Sequence, residues 1–162
     1  MDIALVRVDN RLVHGQIIEA WVPYIKARSI LVVDDDVAGD FFRETVIKMA
    51  VPQEVDVVVY GVESFVATVP FKEGSDEKAI VLFSNITDAM RAYDLGFKYR
   101  KLNIGNVYNE DCRRQLSTCV LLSEGDLESI RHLLQAHVHL EMRRVPQEKP
   151  TNILVLPDTP KP

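Results

Sequence analysis

The stretch IALVRVDNRLVHGQ, which runs from Ile3 to Gln16, decides the fold of this chain. The apolar run at its start predicts a strand over Ile3–Val8, and helical spacing of apolar residues begins just after Gly15. A strand that hands over to a helix is typical of α/β proteins, where such junctions hold phosphate groups and small ligands. The stretch therefore predicts an α/β fold with a functional loop directly after the first strand.

Strand-like and helix-like segments alternate along the rest of the chain. Strands are predicted at Ile3–Val8, Ser29–Val33, Glu54–Tyr60, Ala79–Phe83, Leu102–Ile104, Thr118–Leu122 and Val138–Arg143. Helices are predicted at Gln16–Ala27 (with a kink or early stop at Pro23), Ala38–Ala50, Val62–Val66, Thr87–Leu95 and Asp126–Gln135. This alternation predicts a three-layer α/β/α fold with a mostly parallel central sheet of about six to seven strands.

The length and composition indicate one globular domain. The chain has 162 residues, of which 47% are hydrophobic and 27% charged. We predict a domain over residues 1–145 and a proline-rich tail over 146–162, in which Ile153–Leu156 could dock on the body. The net charge of −5 argues against general nucleic-acid binding, and basic pairs such as Arg143-Arg144 are interpreted as surface charge. No signal-peptide pattern or membrane-spanning apolar run is present, which predicts a cytoplasmic protein.

The loop after the first strand carries the residues for phosphate chemistry. In His14, a neutral imidazole nitrogen is a good nucleophile toward phosphorus when its other ring nitrogen has a fixed partner. Asp9 or a backbone carbonyl would be that partner. Arg7, Arg11 and the helix start at Gly15-Gln16 would bind the phosphate. The structural alternatives are a histidine that only bonds within its loop and a carboxylate that only holds a turn.

Two further polar groups contain residue types that bind metals. His137, His139 and Glu141 recur at every second position of the last predicted strand, and Asp34–Asp36 follow the second strand. We interpret the first group as the polar face of an edge strand and the second as a helix cap. The sequence therefore predicts no metal site. Trp21 is interpreted as core packing that in part lines a partner face.

Several segments resemble one known family. The stretch Arg7–Gln16, followed by Trp21, resembles the active loop of the IIB subunits of the bacterial phosphotransferase system (PTS), in the mannose/fructose/sorbose family. Further segments that resemble the family, in order, are Ile30–Ala38, Leu82–Asp88 and Asn103–Gly105. The resemblance covers residues 3–145 approximately, and its loop motif is highly specific.

The resemblance implies a phosphocarrier with a covalent phosphohistidine and no separate cofactor. In this family the histidine matching His14 accepts a phosphoryl group from a IIA subunit and donates it to a sugar that enters through membrane subunits IIC and IID. The arginine matching Arg11 helps the transfer, and the aspartate matching Asp9 shapes the loop. The implied activity is that of a phosphotransferase, the IIB component, located in the cytoplasm and peripherally associated with the membrane permease.

Two positions depart from the family pattern. Asn106 and Cys112 stand where the family commonly has glycine, which predicts an altered loop around Tyr108 because cysteine tolerates left-handed backbone poorly. This departure motivates an alternative, a regulatory IIB-like module that is phosphorylated but transports no sugar. A third interpretation is a small α/β enzyme or phosphate-binding protein that uses the loop for a diffusible ligand. A homo-oligomer also stays open.

Overall fold

The computed structural model describes residues 1–70 and 74–154 of the chain and has a β-sheet at its centre. The strands are β1 (Asp2–Asp9), β2 (Ser29–Val33), β3 (Asp56–Tyr60), β4 (Lys78–Phe83), β5 (Lys101–Asn106), β6 (Arg114–Ser117), β7 (Val120–Leu122), β8 (His139–Met142) and β9 (Thr151–Ile153). Seven of them form the sheet in the order β3-β2-β4-β1-β5-β8-β9. Its neighbours are parallel except β8 and β9, which are antiparallel.

Helices connect most of the strands. A π-helical segment (Ile17–Trp21) continues into α1 (Val22–Ile25), and the others are α2 (Asp35–Ala38), α3 (Phe41–Met49), α4 (Val62–Thr68), α5 (Ile86–Asp94) and α6 (Glu124–Gln135). Across the described residues, none of the helices combines the length and the apolar character needed to span a membrane.

The sheet separates two hydrophobic cores. Strand β2 is buried along its whole length, and its successive side chains point to opposite faces of the sheet. Leu31 and Val33 join the core under α4, α5 and α6. Ile30 and Val32 join the core under the π-helical segment, α1 and α2. This arrangement confirms the predicted three-layer fold with a mostly parallel sheet of seven strands.

The prediction of a sixth sheet strand at Thr118–Leu122 is wrong. Strand β7 covers only its last part and pairs with β6 in an antiparallel hairpin outside the main sheet. Such a hairpin requires only a tight turn, whereas a parallel addition to the sheet would require a long crossover connection. The hairpin stays attached to the body through a bridge between Val107 and Val120.

The seventh strand of the sheet comes from the segment predicted as a tail. Strand β9 pairs with β8, and Ile153 at its end is buried against the core. The sheet therefore continues past residue 145, where we placed the end of the domain. Of the predicted docking segment, Leu154 is exposed, whereas Val155 and Leu156 lie outside the described residues. Part of the predicted loop Pro70–Lys78, at residues 71–73, is likewise outside them.

The helix predicted at about Ala38–Ala50 is present as α3, but it begins at Phe41 because a separate short helix, α2, ends at Ala38. Asp34 accepts a hydrogen bond from the Val37 amide (2.8 Å) and caps α2, as the sequence predicted. Asp40 accepts one from the Arg43 amide (3.1 Å) and caps α3. The second aspartate begins a new helix after α2 ends.

His137, His139 and Glu141 do not all share one face of strand β8. His137 has a φ of 62° and lies in the turn before β8. Glu141 is only 2% exposed, and β8 lies between β5 and β9. The interpretation of these residues as the polar face of an edge strand is therefore wrong. Within residues 1–70 and 74–154, no group of three or more histidine, cysteine, aspartate or glutamate side chains is placed to hold a metal ion.

Candidate active site

The predicted loop lies at the carboxyl end of β1, in the middle of the sheet. Leu12 adopts a φ of 57° and is buried, which anchors the loop to the core below. Asn10 donates its backbone N–H to the Asn106 carbonyl (2.9 Å) and accepts a side-chain hydrogen bond from the same residue (2.5 Å). The His14 carbonyl accepts from the amides of the first helical residues at 3.0 and 3.1 Å. The loop is therefore held at both ends.

Asp9 is the centre of the loop's hydrogen bonding. Its buried carboxylate accepts from Nε2 of His14 (3.0 Å) and Nη2 of Arg7 (3.0 Å). It also accepts from Nε and Nη2 of Arg11, at 3.0 and 3.1 Å. Burial alone would raise the pKa of Asp9, but the hydrogen bonds from His14 and Arg11 and the charge of Arg7 outweigh it and hold the pKa below its usual range. Asp9 is therefore a charged, acceptor-only group.

This charge determines the tautomer of His14. A carboxylate has no proton to give, so Nε2 of His14 carries a hydrogen, and in the neutral ring Nδ1 keeps its lone pair. The histidine side chain is 16% exposed, at the surface end of the cluster. The sequence left the partner of the ring open between Asp9 and a backbone carbonyl, and the structure places Asp9 there.

Arg11 and Gln16 lie on the solvent side of the loop. The Arg11 side chain is 42% exposed, and its Nη2 also donates to Oε1 of Gln16 (3.1 Å). Gly15 is exposed, and a Cβ atom added there would meet nothing within 4 Å. Arg11 and His14 both bond to Asp9, so the exposed Arg11 guanidinium and the His14 ring share one carboxylate. Phosphate binding by Arg11, Gly15 and Gln16 stays a prediction.

Arg7 lies elsewhere than we predicted. Its guanidinium is fully buried, and Nη1 donates to Oδ1 of Asn103 and to the Arg143 carbonyl (2.7 Å). Nη2 donates to Asp9 and to the Arg144 carbonyl (3.2 Å). The side chain therefore lies beneath Asp9 and not in the solvent-facing loop. This geometry argues against direct phosphate binding and makes Arg7 a support for Asp9.

The residues that enclose Arg7 were missed by sequence reasoning. The Trp21 ring lies 5.4 Å from the Arg7 guanidinium carbon and 5.6 Å from that of Arg143. Nε1 of Trp21 donates to the Arg144 carbonyl (2.9 Å). The Arg144 side chain is exposed, as the interpretation as surface charge predicts. What the sequence pattern does not show is that the backbone carbonyls of Arg143 and Arg144 face Arg7. Trp21 is core packing, as predicted.

Gly105 provides the space for the Arg7 side chain. A Cβ atom at Gly105 would lie 1.9 Å from Nη2 and 2.2 Å from Cζ of Arg7. No side chain therefore fits at position 105 unless Arg7 moves. The sequence did single out the Asn103–Gly105 segment as a family motif. The need for glycine at position 105 becomes clear only from the pairing of β5 with β1, which brings Arg7 against it.

Replacing Gly105 with alanine is expected to lower the free energy of unfolding by about 1–3 kcal/mol, because the methyl group displaces a buried, hydrogen-bonded guanidinium. Urea unfolding would measure this change. Gly39→Ala is the matched control, since a Cβ there would meet its nearest atoms at 3.7 and 3.8 Å, an ordinary contact. Equal stability of the two variants would contradict the close approach of Gly105 to Arg7.

The acidic turn after β2 is occupied by partners within the protein. Oδ1 of Asp35 accepts from the Val62 amide (2.9 Å), and Oδ2 pairs with Nη1 of Arg91 (2.7 Å). The hydrogen bond from Arg91, followed by that from Val62, lowers the pKa of Asp35. Asp34 accepts from the Ser84 hydroxyl as well as capping α2. The turn therefore links β2 to the starts of α2 and α4, to α5 and to the end of β4 through hydrogen bonds and an ion pair.

The two departures from the family pattern cause no backbone strain. Among the described non-glycine residues, those with positive φ are Leu12, Lys26 and His137. Asn106 and Cys112 are not among them, so neither position requires glycine. The altered loop around Tyr108 stays a prediction.

The comparisons with known proteins show the family of this chain. The profile of the family described as "PTS system sorbose subfamily IIB component" matches residues 3–158 of the chain. The chain belongs to this family. The sorbose-specific EIIB component of Klebsiella pneumoniae is 33% identical over 154 residues, which are 95% of this chain and 94% of that protein.

Solved structures and a longer relative support the same assignment. The crystal structure of the IIBSor domain of the Klebsiella pneumoniae sorbose permease matches with a TM-score of 0.85 at 33% identity, covering 95% of this chain and 94% of that one. The mannose-specific EIIAB component of Escherichia coli is 31% identical over 145 residues, which are 90% of this chain but 45% of that protein. The chain is thus a PTS IIB component of the mannose/fructose/sorbose family, with a general role in the transferase chemistry of that system.

Proposed function

We propose that this IIB component is a phosphocarrier in which Nδ1 of His14 holds the phosphoryl group. The hydrogen bond between Asp9 and Nε2 of His14 supports this proposal, because it leaves Nδ1 with its lone pair on the outward side. Arg11 lies beside it with an exposed guanidinium. A fixed imidazole with a free nucleophilic nitrogen next to a cation is the arrangement that phosphoryl transfer requires.

The first step is acceptance from a IIA donor. The Nδ1 lone pair attacks phosphorus, the bond from phosphorus to the donor breaks, and the imidazole ring becomes positively charged. Asp9 stabilises that charge through Nε2–H, as a buried carboxylate does for other catalytic histidines. Arg11 and the donors near Gly15 and Gln16 bind the phosphoryl oxygens, whose charge is spread over the transferred group.

The second step is donation to a sugar. A sugar hydroxyl oxygen attacks phosphorus and loses its proton to solvent, the bond to Nδ1 breaks, and the ring returns to its neutral form with its hydrogen still on Nε2. The sugar enters through the membrane subunits IIC and IID, and the chain works in the cytoplasm at their surface. The group travels covalently on His14, so the carrier needs no separate cofactor. A protein named EIIAB among the relatives supports a IIA partner.

Incubation with phosphoenolpyruvate, the general PTS proteins and IIA tests this proposal. We expect one acid-labile phosphoryl group per chain, with the ³¹P chemical shift of Nδ1-phosphohistidine. An Nε2-phosphohistidine signal would contradict the Asp9–His14 geometry. The absence of any covalent label, together with saturable binding of a sugar phosphate, would favour a protein that binds a diffusible ligand.

A regulatory module without sugar transport is the alternative to a transporter. Both would be phosphorylated on His14, so labelling does not separate them. Sugar uptake by vesicles that contain IIC and IID does, because only a transporter restores it. The homo-oligomer likewise stays a prediction, and sedimentation of the purified chain tests it.

A further inference from the structure

A row of polar side chains crosses the buried sheet beneath the active loop. Arg7 on β1 lies in register with Asn103 on β5, which in turn lies in register with Glu141 on β8. Their exposed fractions are 0%, 0% and 2%. Buried polar groups are costly unless each has a partner. These three side chains are hydrogen-bonded in sequence, Arg7 to Asn103 and Asn103 to Glu141, so each bond depends on the orientation of the Asn103 amide.

The row has a defined direction of hydrogen bonding. Glu141 accepts from Nδ2 of Asn103 (3.1 Å) and pairs at its outer end with Nζ of Lys101 (2.8 Å). With its Nδ2 committed to a carboxylate, Asn103 can only present Oδ1 to Arg7. Arg7 has only donors, so it meets an acceptor on each side, Asn103 and Asp9.

A flipped Asn103 amide would break this order. Its NH₂ group would then face the Arg7 guanidinium, which places two donors against each other. Arg7 would keep the carbonyls of Arg143 and Arg144 but lose its lateral acceptor, and its guanidinium would shift under Asp9. The acceptor-only carboxylate of Glu141 prevents this flip.

We propose that Asn103 and Glu141 are positioning residues for phosphoryl transfer at His14. They hold the guanidinium of Arg7, Arg7 holds the carboxylate of Asp9, and Asp9 keeps the proton of His14 on Nε2. This inference rests on the proposed function of His14. It assigns to β5 and β8, two strands outside the active loop, an influence on the nucleophilic nitrogen that acts through Arg7 and Asp9.

The test is Glu141→Gln, which keeps the shape of the side chain but adds a donor that lets the Asn103 amide turn. Two properties would be measured, the imidazole ¹⁵N chemical shifts of His14 and the rate of phosphoryl transfer from IIA. We expect a loss of the pure Nε2–H tautomer and a rate about tenfold lower, since small displacements of a reacting group are costly. Glu63→Gln is the control, because Glu63 is 78% exposed and pairs with Arg91 (3.3 Å) far from the row.

A second variant covers the case in which Glu141→Gln does not fold. Lys101 is half-exposed, so Lys101→Met removes the outer ion pair with little effect on the core. We expect a smaller shift of the same two readouts in the same direction. Urea unfolding of each variant shows whether a rate loss is only a loss of folded protein.

The outcomes separate this inference from the proposed function. If the wild-type chain takes up the phosphoryl group but both variants keep the wild-type tautomer and rate, the positioning role is wrong and the carrier function stands. If the wild-type chain is never labelled, the carrier function fails, and the ¹⁵N shifts alone still test whether the row determines the His14 tautomer.

Discussion

His14→Ala is expected to take up no acid-labile phosphoryl group at all when it is incubated with phosphoenolpyruvate, the general PTS proteins and IIA. The variant lacks the nitrogen that forms the covalent bond, and no neighbouring group in the loop can replace it. Arg11 is permanently charged, and in the variant Asp9 keeps its hydrogen bonds from Arg7 and Arg11. Because His14 is partly exposed and its main contact is Asp9, we expect the fold to be retained.

His132→Ala is the matched control for this experiment. His132 pairs with Asp94 through Nε2 at 2.8 Å, so it reproduces the histidine–aspartate contact on an exposed surface. It should label as fully as the parent chain. If His14→Ala were labelled to the same extent as His132→Ala, the assignment of His14 as the phosphoryl acceptor would be wrong.

Asp9→Asn is expected to lower the rate of phosphoryl transfer by about 100-fold or more, as the loss of charge behind a catalytic histidine does elsewhere. An asparagine can donate to Nε2, which would move the histidine proton to Nδ1 and remove the nucleophilic lone pair. The variant also leaves the buried Arg7 without its counter-charge, which we expect to cost about 3–5 kcal/mol of stability. Single-turnover transfer from IIA and urea unfolding measure the two effects.

The acid stability of the parent chain provides an independent check. The pKa of Asp9 is lowered in the fold from its ordinary value of 3.8, so its ion pairs stabilise the native state above that pH and lose this effect as the pH falls through the folded pKa. Asp9→Asn should show a weaker loss of stability below about pH 4. Asp94→Asn, which alters an exposed pair, should behave like the parent in both rate and acid stability.

The parts of the site that sequence reasoning predicted are those built from neighbouring residues. Asp9, Arg11 and His14 lie within six positions, and the turn from strand to helix brings them together. The strand–helix alternation predicted the sheet for the same reason. Periodicity is a local property, and β2 and β4 are buried strands with clear apolar runs, as is the second half of β1.

The parts that were missed depend on contacts between distant segments. Arg7 was assigned to phosphate because arginine near a histidine indicates that chemistry, but its position is determined by Asn103 and by carbonyls about 136 residues further along the chain. Strand β9 has three residues and no strong pattern, so its place beside β8 was not visible. Likewise, the local pattern indicates a surface position for Glu141, because its burial and its partners on β5 depend on residues about 40 positions earlier in the chain.

The fluorescence of Trp21 depends on the contacts around the buried Arg7 side chain. Trp21 is the single tryptophan of the chain, and its indole ring lies against Arg7 while its N–H donates to the Arg144 carbonyl. Indole emission responds to nearby cations and to hydrogen bonding at Nε1. The intrinsic fluorescence of the unlabelled protein therefore reports on the surroundings of Arg7, which bonds to Asp9 beneath His14. If His14 carries the phosphoryl group as proposed, we expect its loading to change this emission, which stopped-flow fluorescence would measure.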